Sequence, residues 1–379
     1  MKIPGSRGAD RASHIGEQPH FRELYAALAE VDRALGVAQR RVALLANLAP
    51  RNFASEVQRI RAAFERGRRA RPGFVYGEPP NLEGLASDLS TVADRAQALG
   101  PLGVLYAERA RELALEAEIV AARGTCLVGA LASRRYDPGP HAADADVLAN
   151  VLAISRDEHD GAPFDVVTDD ADDPRSLLCR MRDEIGRRKL AVRVIVARGL
   201  APLAAVGDSV VQIAAARRVR VRDVERTVLH EIAGHLEPAS RAATLGLGLL
   251  RVGTRRGSDD QEGYALFTER GAGHLAGARA RELAARHIAA RAAHAGVGFE
   301  DTVTVLLDRG VATGVAVQSA CRAYRGGGLG REAAYLPALL RVERAVSRDP
   351  AIASVLASGR VSVAAAPILG VWLSARDEA

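Results

Sequence analysis

His230 and Glu231, followed by His235, are the side chains of this sequence whose types and spacing first point to chemistry. Neutral imidazoles bind a divalent cation, and a glutamate between two of them can take a proton from a water that the cation holds. In the usual helical arrangement of these parts, H-E-x-x-H, both imidazoles share one face. Here one more residue intervenes. At about 100° per residue, five positions put His235 about 140° around the axis from His230, so a regular α-helix would not present both to one ion. Gly234 offers two remedies, a π-type widening of the turn or an end to the helix at that glycine. Either one predicts a distorted turn over residues 232–235.

A hydrolytic zinc site takes three protein ligands and keeps a fourth position open. Glu262, in DDQEGYALFTE, is the candidate third ligand, with Gln261-Glu262-Gly263 leading into a second helix that would pack against the first. A lone His230 would read as an ordinary packed or surface histidine. The strand-like run before it, the glycine at the needed hinge and the downstream Q-E-G favour a metal site.

The elements that must position these residues are mostly helical. Phe21, Leu24, Leu28, Val31 and Leu35 recur at the three-and-four spacing of one helix face, and helical periodicity continues to about Glu118, broken by Pro50 and by the glycine- and proline-rich residues 73–84. A long helix is expected from about Gly103 to Ala122. Valine- and isoleucine-rich runs beginning at Phe164, Val192, Ser209 and Arg218 predict a small sheet in the middle of the chain. Asp223 can cap the helix that carries the histidines, and Val224, Val228, Leu229 and Ile232 supply its apolar side. Beyond it the pattern stays helical to the end, the segment after Val346 reading as a core element. The expected class is α+β and mostly α-helical. It divides into a loose tail over residues 1–20, a helical region over 21–122 and a catalytic part over 123–379 that contains the small central sheet.

Composition narrows the function classes. With 379 residues, 48% of them hydrophobic, the chain can bury a full core, and the longest mostly apolar stretch, 361–374, contains Pro367 and is too short to span a membrane. No apolar run marks a leader, and the three cysteines lie far apart without C-x-x-C, which together predict a cytoplasmic, reducing location. The net charge of +6 rests almost wholly on arginine, since Lys2 and Lys189 are the lysines, and alanine is abundant too, as GC-rich coding would produce. With aromatics at 4%, the stacking surface of a single-strand binder is missing, which argues against nucleic acid as a partner. Nothing in the sequence signals an oligomeric state.

Three motifs in order, HEIAGH at 230–235, QEGYA at 261–265 and CRAYRGGGLGREAAYL at 321–336, together with FVYGEPP at 74–80, carry a family resemblance. They are similar to the bacterial QEGLA-motif proteins (the DUF1704 group), relatives of the eukaryotic microtubule-associated tyrosine carboxypeptidases. The likeness runs from about Phe21 to Leu340. It implies a zincin-like metallopeptidase fold, a zinc ion held by His230, His235 and Glu262, Glu231 as general base, and a peptide or protein substrate. Tyr264 stands where the family motif usually has leucine, and Arg331-Glu332 where it usually has lysine and aspartate.

The chemistry expected of such a site is hydrolysis of a peptide bond, with zinc lowering the pKa of water to about 7 and Glu231 moving the proton to the leaving amine. Tyr335 is the first candidate for an oxyanion donor, Arg325 the second and His274 the third. If the enzyme trims C-termini, a cation must meet the terminal carboxylate, and Arg322, Arg325 and Arg331 are available. Tyr335 reads equally as a core tyrosine beside Leu336, Leu339 and Leu340, and each arginine as a solvated surface residue. The competing class is a non-catalytic, metal-stabilised regulatory or protein-binding protein, against which the unliganded Glu231 argues.

Overall fold

The helical spacing at the front of the chain produces a helix over Pro19–Val42, with Leu28, Val31 and Leu35 buried along one side. The computed structural model describes residues 19–377 except 201 and 208. Most of the expected tail, residues 1–18, lies outside the described residues, and Pro19 and His20 already belong to the helix. The helix stops at Ala43, whose φ of 33° lies in the left-handed region, and one further turn, Leu44–Asn47, precedes Pro50. Residues 68–82 form no regular element, as their prolines and glycines require. The long helix spans Gly100–Ala121, and Gly124 with φ 83° turns the chain away after it.

Those front helices share one apolar core with Leu85–Gln97 and with the C-terminal helix Ala366–Asp377, through residues such as Leu35, Leu89, Tyr106, Leu356 and Leu369. The segment after Val346 is therefore a core element. None of the described helices is long and apolar enough to cross a membrane.

The central β-structure is two small sheets rather than one. Strands β2 (Arg193–Ala197), β3 (Ala204–Val206) and β4 (Val210–Ala214) form the larger, with β4 in the middle, parallel to β2 and antiparallel to β3. Arg193 pairs with Val210, and Ala204 with Ile213. Strands β1 (Val166–Val167) and β5 (Arg218–Val219) form an antiparallel ladder of their own, Val166 opposite Val219. β3 has no β-branched run to announce it. β5 is shorter than its sequence suggests because Val221 already opens the next helix.

That next helix, Val221–Glu231, is the motif helix. Its Val224, and Ile232 and Leu236 beyond it, pack with Leu178, Met181 and Ile185 of the helix Leu177–Arg187 and with Val211 and Ile213 of β4. One side of the motif helix is thereby consumed by packing, which turns His230 and Glu231 toward the opposite side. The fold is mostly helical α+β, as expected.

Candidate metal centre

The motif helix starts at Arg220, which takes the cap position expected for Asp223; the Asp223 carboxylate, three residues on, accepts the Arg220 backbone N–H at 3.4 Å. After Glu231 the helix widens into a single π turn over Ile232–Leu236, then resumes as Glu237–Thr244. The π turn absorbs the extra residue of the motif. His230 Nε2 and His235 Nε2 come to 3.3 Å of one another. Of the two remedies the sequence offers, widening occurs and termination does not. Gly234 has a different use from the expected hinge: a Cβ there would overlap the side chain of Ala265, so the glycine lets two helices touch.

The second of those helices is the acidic helix, Gly257–Gly271. It begins earlier than expected, so Glu262 sits in its second turn rather than at its entrance. Across it, a Cβ on Gly263 would stand 2.5 Å from the Ala338 carbonyl carbon in the helix Tyr335–Arg348, so a second glycine permits a second close approach. Glu262 Oε2 lies 3.7 Å from His230 Nε2, and its Oε1 lies 3.8 Å from His235 Nε2. One donor atom from each residue falls within a 4.8 Å group. Tetrahedral ligands at about 2.0–2.1 Å from zinc stand about 3.3–3.4 Å apart, so the donors fit such an ion with small closures. Two imidazole nitrogens and one carboxylate oxygen are also a donor set that zinc accepts.

Electrostatics prepares each donor differently. His230 Nδ1 donates to Glu269 Oε1 at 2.6 Å, which leaves Nε2 facing Glu262, and the fully buried Glu269 takes two further bonds from Arg279, each 3.0 Å. Burial works against a charged His230, but Glu269 outweighs it and raises the pKa. Among the described residues no carboxylate bonds the other nitrogen of His235, and burial drives it down to about 4, Glu262 opposing in part. Burial would raise Glu262, yet Arg331, His235 and His230 together hold it at about 2, with Arg331 Nη2 donating to Oε1 at 3.0 Å. Glu231 goes the other way. Burial pushes it up to about 7, Glu262 adding and His230 opposing, and among the described residues it has no hydrogen-bond or ion-pair partner.

All four residues line a cleft of about 770 Å³. Tyr335 and Arg325 line it too, whereas His274 does not. Tyr335 is buried among Leu336 and Leu339 and also borders the cleft, with the Arg331 guanidinium 5.5 Å from its ring centroid, so the core and site descriptions both hold. Arg322 Nε donates to Glu332 Oε1 at 3.1 Å; Arg325 reaches the same oxygen at 3.5 Å, and its Nε has no partner. Sequence reasoning missed Glu269, Arg279 and the cleft-lining Arg226. Glu269 leaves one trace, its position seven residues after Glu262, two turns along the same helix side.

Two imidazoles and a carboxylate from separate helices, beside a glutamate in the same cleft, are a group that could hold a metal ion, with the donor types mononuclear metallohydrolases use. The model of the microtubule-associated tyrosine carboxypeptidase family matches residues 62–374. The chain belongs to that family and is a peptidase. Among curated proteins and solved structures none matches it.

Proposed function

We propose that the protein is a zinc-dependent carboxypeptidase in which His230, His235 and Glu262 hold the metal and Glu231 is the general base. The observation that carries this reading is Glu231 itself, lining the cleft on the same helix as His230 with, among the described residues, no hydrogen-bond or ion-pair partner, so that its carboxylate is free to take a proton from water. Bound zinc supplies the Lewis acidity that makes water a nucleophile at that pH.

The chain's own residues do the rest. Glu231 accepts the proton of the attacking water and returns it to the leaving amine. Tyr335 donates its hydroxyl hydrogen to the oxyanion, its ring steadied by Arg331. Arg325 meets the substrate's terminal carboxylate: Arg331 is committed to Glu262 and Arg322 hydrogen-bonds Glu332 at 3.1 Å, while Arg325 lines the cleft and holds Glu332 more loosely, at 3.5 Å. All of these residues follow Ala122, in keeping with a catalytic part over 123–379. Free Cys126, Cys179 and Cys321 support a reducing, cytoplasmic setting.

The test is Glu231→Gln in zinc-loaded protein, assayed by mass spectrometry on a peptide library. Removal of the C-terminal residue should fall about 10²–10⁴-fold with zinc content unchanged. Parental rates in that variant, or cuts only at internal bonds in the parent, would overturn the reading.

A further inference from the structure

Asp259, Glu262, Leu266 and Glu269 lie along one side of the acidic helix, at the three-and-four spacing of a single stripe. Each acid on the stripe is met by an arginine from a different element. Glu269 has Arg279 of the helix Gly277–His294, Glu262 has Arg331, and Asp259 Oδ2 accepts Arg135 Nη1 at 2.8 Å from the helix Leu127–Arg135.

The first two pairs belong to the metal centre. The third lines the same cleft but bonds none of the proposed ligands, and it is the end of a buried network. Arg135 Nε also donates to Glu116 Oε1 at 2.8 Å, and its Nη1 lies 3.3 Å from Glu112 Oε1. Arg109 holds the same two glutamates, at 2.6 Å and 3.2 Å. Glu112 Oε1 further accepts the backbone N–H of Arg256 at 2.9 Å, the residue just before the acidic helix. Every charged side chain of the five is under 10% exposed.

Burying five charges costs several kcal/mol per ion before pairing, and apolar residues of like volume often stabilise as well or better. Stability alone does not account for the cluster. Its geometry does something apolar contacts would do poorly: it fixes the rotation of the acidic helix about its own axis at two points, Asp259 about one turn and Arg256 nearly two turns ahead of Glu262. A carboxylate at the rim of a helix of about 5–6 Å radius moves about 1 Å for a 10° roll, and metal–ligand distances tolerate about 0.2 Å.

We propose that Arg135, anchored on Glu112 and Glu116 of the Gly100–Ala121 helix, is a positioning residue for the metal ligand Glu262, acting through Asp259. The front helices then set the metal affinity of a centre to which they contribute no ligand. The inference rests on the metal assignment above.

The test uses the full chain. Zinc dissociation constants are measured by chelator competition for the parent, Arg135→Met, Asp259→Asn and the double variant, with the absorption spectrum of the cobalt-substituted proteins and far-UV circular dichroism alongside. Arg135→Met should weaken zinc about 10–100-fold, the size typical of residues that orient a ligand. It should also change the cobalt bands. In the Asp259→Asn background the same replacement should have little further effect. Arg135→Lys, which keeps the buried charge but not the fork, supplies a folded variant if the methionine protein does not fold, and it should lose affinity as well. Lowered thermal stability with parental zinc affinity and parental cobalt bands would overturn the proposal and leave a purely structural cluster. Failure of the parent itself to take up zinc would sink the metal assignment together with this inference.

Discussion

The motif helix and the acidic helix bring the proposed ligands to the same few ångströms by different means. The motif helix distorts itself: its π turn over Ile232–Leu236 brings His235 back beside His230, while its far side is held by apolar packing against the Leu177–Arg187 helix and β4. The acidic helix stays regular and is held from outside, by Arg135, Arg331 and Arg279 on three of its four acids and by Arg341 on the fourth, Asp260. One placement is written into a few consecutive residues. The other depends on partners up to 124 positions away in the chain.

The largest effect that would probe this difference is on the self-distorting side. His235→Ala removes the proposed ligand that the π turn brings beside His230, and elemental analysis should find zinc lost while the fold persists. Retained stoichiometry would mean that the turn serves packing alone. On the other side, Glu269→Gln keeps the shape but removes the charge that orients His230 through Nδ1, and zinc affinity should drop about 10–100-fold by chelator competition. An unchanged constant would show that the outer carboxylate is dispensable.

Gly234→Ala strikes the contact between the two helices. The added methyl overlaps Ala265, and overpacking of this kind costs about 1–3 kcal/mol, readable as a lower urea midpoint. Combining it with Ala265→Gly should return most of the loss; no recovery would show that the glycine is needed for the π turn's backbone instead.

The smallest effect is on pH. Glu282 and Glu332 pair with arginines around the cleft and are held at about 2, although burial opposes it, against an ordinary value of 4.5. Their folded pKa is below the unfolded one, so their stabilisation is complete above about pH 4.5 and fades as pH falls toward about 2. The apolar side of the motif helix has no such dependence. Hydrogen exchange between pH 4.5 and 2 should therefore loosen 277–294 and 325–348 before 210–214, the β4 strand of that apolar packing, which carries no titratable side chain; loss in the reverse order would contradict the comparison.

How much of this was legible follows from the same difference. H-E-x-x-x-H with a glycine inside could be read because five positions on a helix have a fixed angular consequence, and the strained turn was expected where it occurs. The apolar stripe of the front helix was legible for the same local reason. Glu262 was reachable from its motif, although the start of its helix at Gly257 was not, because Arg256 enters it with φ 59° and a backbone N–H bound to Glu112, a partner 144 residues away. Glu269 has only its spacing from Glu262 to mark it, and Arg279 has no mark in the sequence, until the rotation of the acidic helix is known. β3 escaped because Ala-Ala-Val carries no strand preference and is held by pairing with β4.

Gly263 against Ala338 and Gly234 against Ala265 leave the helix bearing Glu262 wedged between two neighbours with almost no side-chain volume at either wall. Replacements at Gly234 and Ala265 should consequently be accepted only as a matched exchange, one residue growing as its opposite shrinks, whereas Gly263 faces the Ala338 backbone and no exchange there makes room. The letters flanking the reactive ones in HEIAGH and QEGYA record that mutual accommodation, so much of what makes these strings recognisable describes how three rods are stacked rather than what they cleave.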